Sequence, residues 1–122
     1  MAMMIGCIML VNNASDIEKD IDGGRKTLPI CVGRGASQII LRTAVIASGL
    51  LAAVYVCVMA PRGIPALPVM AVSLMIDPHI RALFTAPLSP ERRGASMRGV
   101  LSACTKINAL YALGLIIHSL SL

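Results

Sequence analysis

The chain has 122 residues, of which 57% are hydrophobic and 14% are charged, and its mean hydropathy is +0.80. A soluble domain is typically about 25% charged because it needs a polar exterior, so this composition favours a membrane protein. The formal net charge is +5, but the chain has only two tyrosines and one phenylalanine. It therefore lacks the basic surface interleaved with aromatic rings that stacks on nucleic-acid bases.

Apolar stretches predict an all-α chain with about three full transmembrane helices and the end of a fourth. Residues 1–11 are apolar but would form a helix only about 16 Å long, half of a hydrocarbon core, which indicates a truncated helix. The pattern continues into polar residues, so a helix over about 1–17 emerges from the bilayer and its polar end stops at Gly23 and Gly24. Complete spans are predicted over about 38–60, 64–84 and 99–122, the second kinked by prolines at 65, 68 and 78.

The basic residues alternate between the connections of these helices. Lysines and arginines surround the first and third connections, whereas Arg62 is alone in the second. By the positive-inside rule, residues 18–37 and 85–97 are cytoplasmic, and residues 61–63 and the carboxy terminus are external. This distribution explains the net charge without a polyanionic partner.

Four of the six acidic residues fall within seven positions of the first connection. On a helix, Asn12, Asp16 and Asp20 are spaced by four residues and form one row, with Asn13 beside it. Carboxylates in such a row repel each other, and a bound cation would reduce that repulsion. Magnesium is the natural candidate because it takes oxygen ligands and is usually bound by one or two carboxylates plus substrate phosphates.

The residues after the glycine pair favour the same chemistry. Arg25, Lys26 and Thr27 offer a forked donor, a point charge and a hydroxyl to phosphate oxygens. The segment therefore predicts a diphosphate site at a membrane surface. The alternative is a solvated helix end whose charges pair locally, Asp16 with Lys19 and Asp22 with Lys26.

Residues 10–34, LVNNASDIEKDIDGGRKTLPICVGR, resemble the second aspartate-rich motif of the UbiA prenyltransferase superfamily. In the branch that prenylates 1,4-dihydroxy-2-naphthoate, the pattern is roughly L-x-N-N-x-x-D-x-x-x-D-x-x-x-G-[KR]-[KR]-T-L-x-V-x-L-G. Ten positions stand in register: Asn12, Asn13, Asp16, Asp20, Gly24, Arg25, Lys26, Thr27, Leu28 and Gly33.

The resemblance implies the carboxy-terminal part of a bundle of about nine helices in the cytoplasmic membrane of a bacterium, with the active-site loops cytoplasmic. Such an enzyme would transfer a polyprenyl group from an isoprenoid diphosphate to an aromatic acceptor, here 1,4-dihydroxy-2-naphthoate in menaquinone biosynthesis. The implied roles are Mg²⁺ binding by Asp16 and Asp20, and diphosphate binding by Asn12, Asn13, Arg25 and Lys26. Many relatives have arginine where this chain has Ser15, which removes one possible phosphate contact.

The chain contains no counterpart of the family's first motif, N-D-x-x-D-x-x-x-D. The resemblance therefore implies half of an active site, completed by an amino-terminal half, and a 122-residue chain that is inactive alone. The alternative is a small membrane protein without catalytic activity, either an accessory subunit of a split prenyltransferase or a remnant of one.

Five further features have simpler interpretations. The four cysteines are predicted to be packing residues. Asp77, Pro78 and His79 indicate a helix that bends near the cytoplasmic surface, and Gly33, Arg34 and Gly35 indicate a loop entering a helix near Ser37. Lys106, about one turn inside the last helix, either extends to the cytoplasmic surface or reaches the donor phosphates. His118 is predicted to be interfacial.

Overall fold

The computed structural model describes residues 2–120, which fold into helices without a strand among them. This confirms the predicted all-α class. The helices in chain order are α1 (Ala2–Ser15), α2 (Ile17–Asp22), α3 (Leu28–Met59), α4 (Ala66–Ile76), α5 (Pro78–Thr85) and α6 (Arg93–Leu120), and short 3-10 turns at Pro61–Gly63 and Pro90–Arg92 precede α4 and α6.

Two or three helical segments are long and apolar enough to cross a membrane. Within residues 2–120 these are the 32-residue segment Leu28–Met59, the 31-residue segment Pro90–Leu120, and α4 with α5 if that bent pair forms one span. The first apolar helix, α1, has 14 residues and is too short to cross alone. The length and composition of these helices therefore indicate a membrane helical bundle. The predicted end of the last span, at residue 122, lies outside the described residues.

The core lies where α1, α3 and α6 meet. Val11, Leu41, Val100 and Ala103 are completely buried there. Large apolar side chains also face outward along the helices, and Met75 is 74% exposed. An outer surface of this kind is stable in hydrocarbon and would be unfavourable in water, which fits the hydropathy of the sequence.

The predicted kink lies between α4 and α5, whose axes differ by 64°. Pro78 occupies the first turn of α5, and the Asp77 side chain caps that helix by accepting hydrogen bonds from the backbone N–H groups of His79 and Ile80. Gly99 of α6 packs against the same turn, because a Cβ there would stand 2.7 Å from the His79 carbonyl oxygen. The bend and α6 are thus in close backbone contact.

The first predicted helix differs from the structure in one respect. The chain is helical on both sides of Asp16, but Asp16 itself has φ −111° and ψ 25°, which separates α1 from α2. The stop at the glycine pair is as expected: α2 ends at Asp22, and Gly24 has a positive φ of 67° that favours glycine. The polar residues therefore lie on two helical segments that are separated at Asp16.

Candidate functional site

The turn after α2 folds the chain back toward that helix. The Gly24 N–H donates to the Ile21 carbonyl at 3.0 Å, and the Arg25 N–H donates to the Asp20 carbonyl at 2.8 Å. The positive φ of Gly24 permits this reversal. As a result, the Arg25 guanidinium lies 3.4 Å from the Asp20 carboxylate although its side chain is 74% exposed.

Asn12 and Asp16 bind the same side chain, the guanidinium of Arg93. The Nη1 group of Arg93 donates to Asp16 Oδ2 at 2.5 Å, and its Nη2 group donates to Asn12 Oδ1. One guanidinium can reach both residues because Asn12 lies in the last turn of α1 and Asp16 directly follows that helix. These two residues of the predicted row therefore share one partner, a basic residue from the start of α6.

Asp20 lies in a different environment. Its side chain is only 7% exposed, and one oxygen faces Arg25, while the other oxygen, Oδ2, is buried without a hydrogen-bond partner. The hydroxyl of Thr27, at the start of α3, is also buried without a partner. Buried polar atoms without partners destabilise a protein by about 1–3 kcal/mol each, so both atoms are unusual for groups of purely structural importance.

Asn13, Arg25 and Lys26 are not brought into contact with Asn12 and Asp16. Asn13 lines a cavity of about 310 Å³ between α1 and α3, together with Leu10 and Pro29. Lys26 is exposed. The six residues of the proposed site are therefore arranged as Asn12 and Asp16 on one shared partner, Asp20 paired with Arg25, and two separate side chains, Asn13 and Lys26.

Arg34 fixes the position of the aspartate-rich segment against α3. Its Nε group donates to the Ala14 carbonyl at 2.9 Å, and its Nη2 group pairs with Glu18 at 2.9 Å. The pKa of the Glu18 carboxyl lies below its usual value, mainly because its own backbone N–H donates a hydrogen bond to it and secondly because Arg34 does.

The loop predicted before Ser37 is not seen. The chain is instead helical from Leu28, with a break at Gly33, where φ is 82°.

The local charge pairing considered from the sequence is not what the structure shows. Among the described residues, Asp16 pairs with Arg93 and Glu18 pairs with Arg34, and the ion pairs do not include Asp16 with Lys19 or Asp22 with Lys26. The acidic segment is therefore bound mainly to distant parts of the chain. A single sequence gives no signal for such pairing, because Arg93 looks like any other loop arginine.

A second polar cluster lies between the α4/α5 bend and α6. Lys106 Nζ is 2.6 Å from Asp77 Oδ2 and donates to the Ser73 carbonyl at 2.9 Å, and the Ser102 hydroxyl donates to Asp77 at 2.6 Å. Lys106 lies 13 residues after the start of α6 at Arg93, not about one turn inside the helix as predicted, and its ammonium pairs with Asp77. Two lone opposite charges in apolar spans are themselves a signal of such a pair.

An apolar cavity of about 530 Å³ lies between α3, α4 and α5. Its walls are mainly aliphatic side chains such as Val45, Met70 and Leu74, and Arg81 and Thr85 are among its few polar residues. A cavity of this composition suits hydrocarbon chains.

The residues present fit a metal only if a ligand supplies further oxygens. Within the part of the chain that the structure describes, no three or more His, Cys, Asp or Glu side chains are grouped to bind a metal ion. Asp20 offers one unpartnered oxygen, and Asp16 is compensated by Arg93. Two carboxylates completed by phosphate oxygens are nevertheless a common magnesium environment.

Comparison with known proteins adds no family assignment. No protein-family model, curated protein or solved structure matches this chain. The class that fold and site define is an all-α membrane bundle with a polar, carboxylate-bearing segment at one end.

Proposed function

We propose that this chain is the carboxy-terminal part of a UbiA-type prenyltransferase whose acceptor is 1,4-dihydroxy-2-naphthoate. Among the described residues three buried side-chain polar atoms have no hydrogen-bond partner; one is His118 Nδ1, and the other two, Asp20 Oδ2 and Thr27 Oγ1, carry the proposal. Both belong to the segment that resembles the second aspartate-rich motif. Buried polar atoms without partners are uncommon in proteins, and at this position they support a segment that binds a polar ligand.

In this proposal each residue of the segment has a separate task. Asp16 and Asp20 would bind Mg²⁺, which when bound neutralises the leaving diphosphate as the allylic carbon becomes cationic. Arg25 and Lys26, both exposed next to α2, would contact the diphosphate oxygens. Asn12 and Asn13 would line the same face and contact the diphosphate.

The proposed location is the cytoplasmic membrane of a bacterium, with residues 18–37 and 85–97 in the cytoplasm. Arg93 supports placing these two segments on one side, because it lies in the second segment and binds Asp16 at the start of the aspartate-rich segment. Residues 61–63 would then be external, as the distribution of basic residues requires. The hydrocarbon part of the donor would remain in the bilayer.

A specific observation also favours the second candidate, a membrane protein without catalytic activity. The Arg93 guanidinium already compensates Asp16 and Asn12, so these residues form a stable polar contact between α1 and α6 without any ligand. An accessory subunit of a split prenyltransferase would need no more than this. The two candidates differ in whether product is formed.

The experiment is a prenyl-transfer assay with purified chain in lipid, Mg²⁺, polyprenyl diphosphate and dihydroxynaphthoate. We expect no product from the 122 residues alone, because the opposing carboxylates of the first motif are not among them. Co-expression with an amino-terminal half of a UbiA-type enzyme that carries this motif should give prenylated product, since separately inserted helices can assemble. Turnover by the chain alone would refute the half-site argument, and no turnover with any such half would favour the accessory protein.

A further inference from the structure

The apolar cavity of about 530 Å³ between α3, α4 and α5 is separate from the aspartate-rich segment, because none of the described residues in its wall belongs to α1 or α2. Wall residues such as Ile46, Leu50 and Met75 are exposed on the outer surface of the bundle. In a bilayer this surface faces the hydrocarbon. The cavity is therefore open sideways to a lipid chain, and its aliphatic wall suits one.

Arg81 of α5 brings a positive charge into this apolar wall, and its side chain is exposed. In the part of the chain that the structure describes, its guanidinium forms neither an ion pair nor a hydrogen bond. Asp77, the only acidic residue between positions 23 and 90, is paired with Lys106 instead. The hydroxyl of Thr85, also in the wall, already donates to the Arg81 carbonyl at 3.0 Å. The N–H donors of Arg81 are thus left for an acceptor outside the protein.

The position of Arg81 places this charge at the end of the cavity nearest the predicted cytoplasmic surface. Met70 and Leu74 of α4 line the cavity on one side of the bend, and α5 continues from the bend at 64° to α4. Arg81 lies four residues before the end of α5 at Thr85. An arginine there can cover apolar surface with its stem while its guanidinium reaches the headgroups. The apolar space and the cation together match an amphiphile with an anionic head.

We propose that this cavity binds an anionic glycerophospholipid, with one acyl chain against α3 and α4 and its phosphate on Arg81. A guanidinium binds two phosphate oxygens at once, and these hydrogen bonds are charge-assisted. A zwitterionic lipid suits the site less, because its own ammonium compensates its phosphate and is repelled by a chain of net charge +5. This second site does not depend on the proposed function.

The site is tested by native mass spectrometry of the full chain in detergent, titrated with phosphatidylglycerol or with phosphatidylcholine of identical acyl chains. The wild type should bind phosphatidylglycerol about tenfold more tightly than phosphatidylcholine, and Arg81→Gln should lose this preference, because a hydrogen bond to a charged group contributes a factor of about ten or more. Arg81→Lys, which keeps the charge but not the fork, should lie between them. Arg98→Gln is the matched control, since Arg98 is an exposed arginine outside the cavity wall, and it should bind as the wild type does.

A second variant, Gly49→Leu, tests whether an acyl chain occupies the cavity. A Cβ at Gly49, which lies in the wall, would stand 3.9 Å from the Ile107 side chain, an ordinary contact, so a leucine fits and fills part of the space. It should weaken the binding of both lipids about tenfold, because apolar contacts with the chain are lost. Ala112→Leu is its control, since Ala112 is exposed on α6 away from the cavity, and it should leave binding unchanged.

Three results would overturn the proposal. Equal losses in Arg81→Gln and Arg98→Gln would show a general attraction between basic residues and anionic lipid. Unchanged binding by Gly49→Leu would show that no acyl chain enters the cavity. Displacement of phosphatidylglycerol by an equal concentration of a prenyl diphosphate would assign the cavity to that ligand.

Discussion

Replacing Lys106 with methionine should lower the free energy of unfolding of the bundle by about 3–5 kcal/mol. The substitution keeps the length of the side chain but leaves the Asp77 carboxylate, which is 8% exposed, without its cation. Removing one partner of a buried ion pair is strongly destabilising because the other charge stays uncompensated. Reversible unfolding in bicelles, followed by helical circular dichroism, measures the effect.

A double variant separates the loss of the pair from the loss of one partner. Asp77→Asn keeps an oxygen that can cap α5, so Asp77→Asn combined with Lys106→Met should recover stability to within about 1 kcal/mol of the wild type. Arg98→Met is the control for removing a basic residue from α6, because Arg98 is exposed, and it should change stability by less than about 0.5 kcal/mol. A double variant as unstable as Lys106→Met would show that the pair is not the cause.

Replacing Asp20 with asparagine should reduce prenyl transfer by about 10²-fold or more in the enzyme assembled from both halves. A charged group that stabilises the transition state in a dry site contributes several kcal/mol to catalysis, and asparagine cannot supply the charge. The same change should leave stability equal or slightly higher, because a buried carboxylate oxygen without a partner is unfavourable in the fold. Initial rates of product formation and unfolding curves are measured on the same preparations.

Asp22→Asn is the matched control for this variant. Asp22 is exposed at the end of α2, two positions away, so its replacement changes net charge by the same amount without touching the site. It should keep most of the activity. If Asp20→Asn retained its rate, or lost activity only in proportion to lost stability, Asp20 would be structural and the metal assignment would be wrong.

The helices could be predicted from the sequence because each depends on local properties. Long uncharged runs predicted α3 and α6, Pro78 after Asp77 predicted the bend, and the glycine pair predicted the end of α2. These features follow from hydropathy, from the fixed φ of proline and from the low helix propensity of glycine, which are properties of single positions and short stretches of sequence.

The contacts of the site could not be predicted, because they join residues far apart in the chain. Arg93 is one of several basic residues from which the membrane orientation is predicted, and nothing in its neighbouring sequence marks it as the partner of Asp16. The lone opposite charges of Asp77 and Lys106 in apolar spans are a sequence signal for their pairing, but the contacts between the bend and α6 that bring them together are not visible in the sequence. The spacing of Asn12 and Asp16 could predict that they lie close together, but not that Arg93 binds both of them.

The central claim, that residues 12–27 bind a prenyl diphosphate, is tested most directly by photolabelling. A polyprenyl diphosphate analogue with a diazirine on its first isoprene unit would be added to the enzyme assembled from both halves and mapped by mass spectrometry. Labelling on α1, α2 and the turn at Arg25 and Lys26, dependent on Mg²⁺ and lost in Asp20→Asn, is the predicted result. Labelling that is independent of Mg²⁺, or that falls only near Arg62 at the opposite end of the spans, would contradict the account.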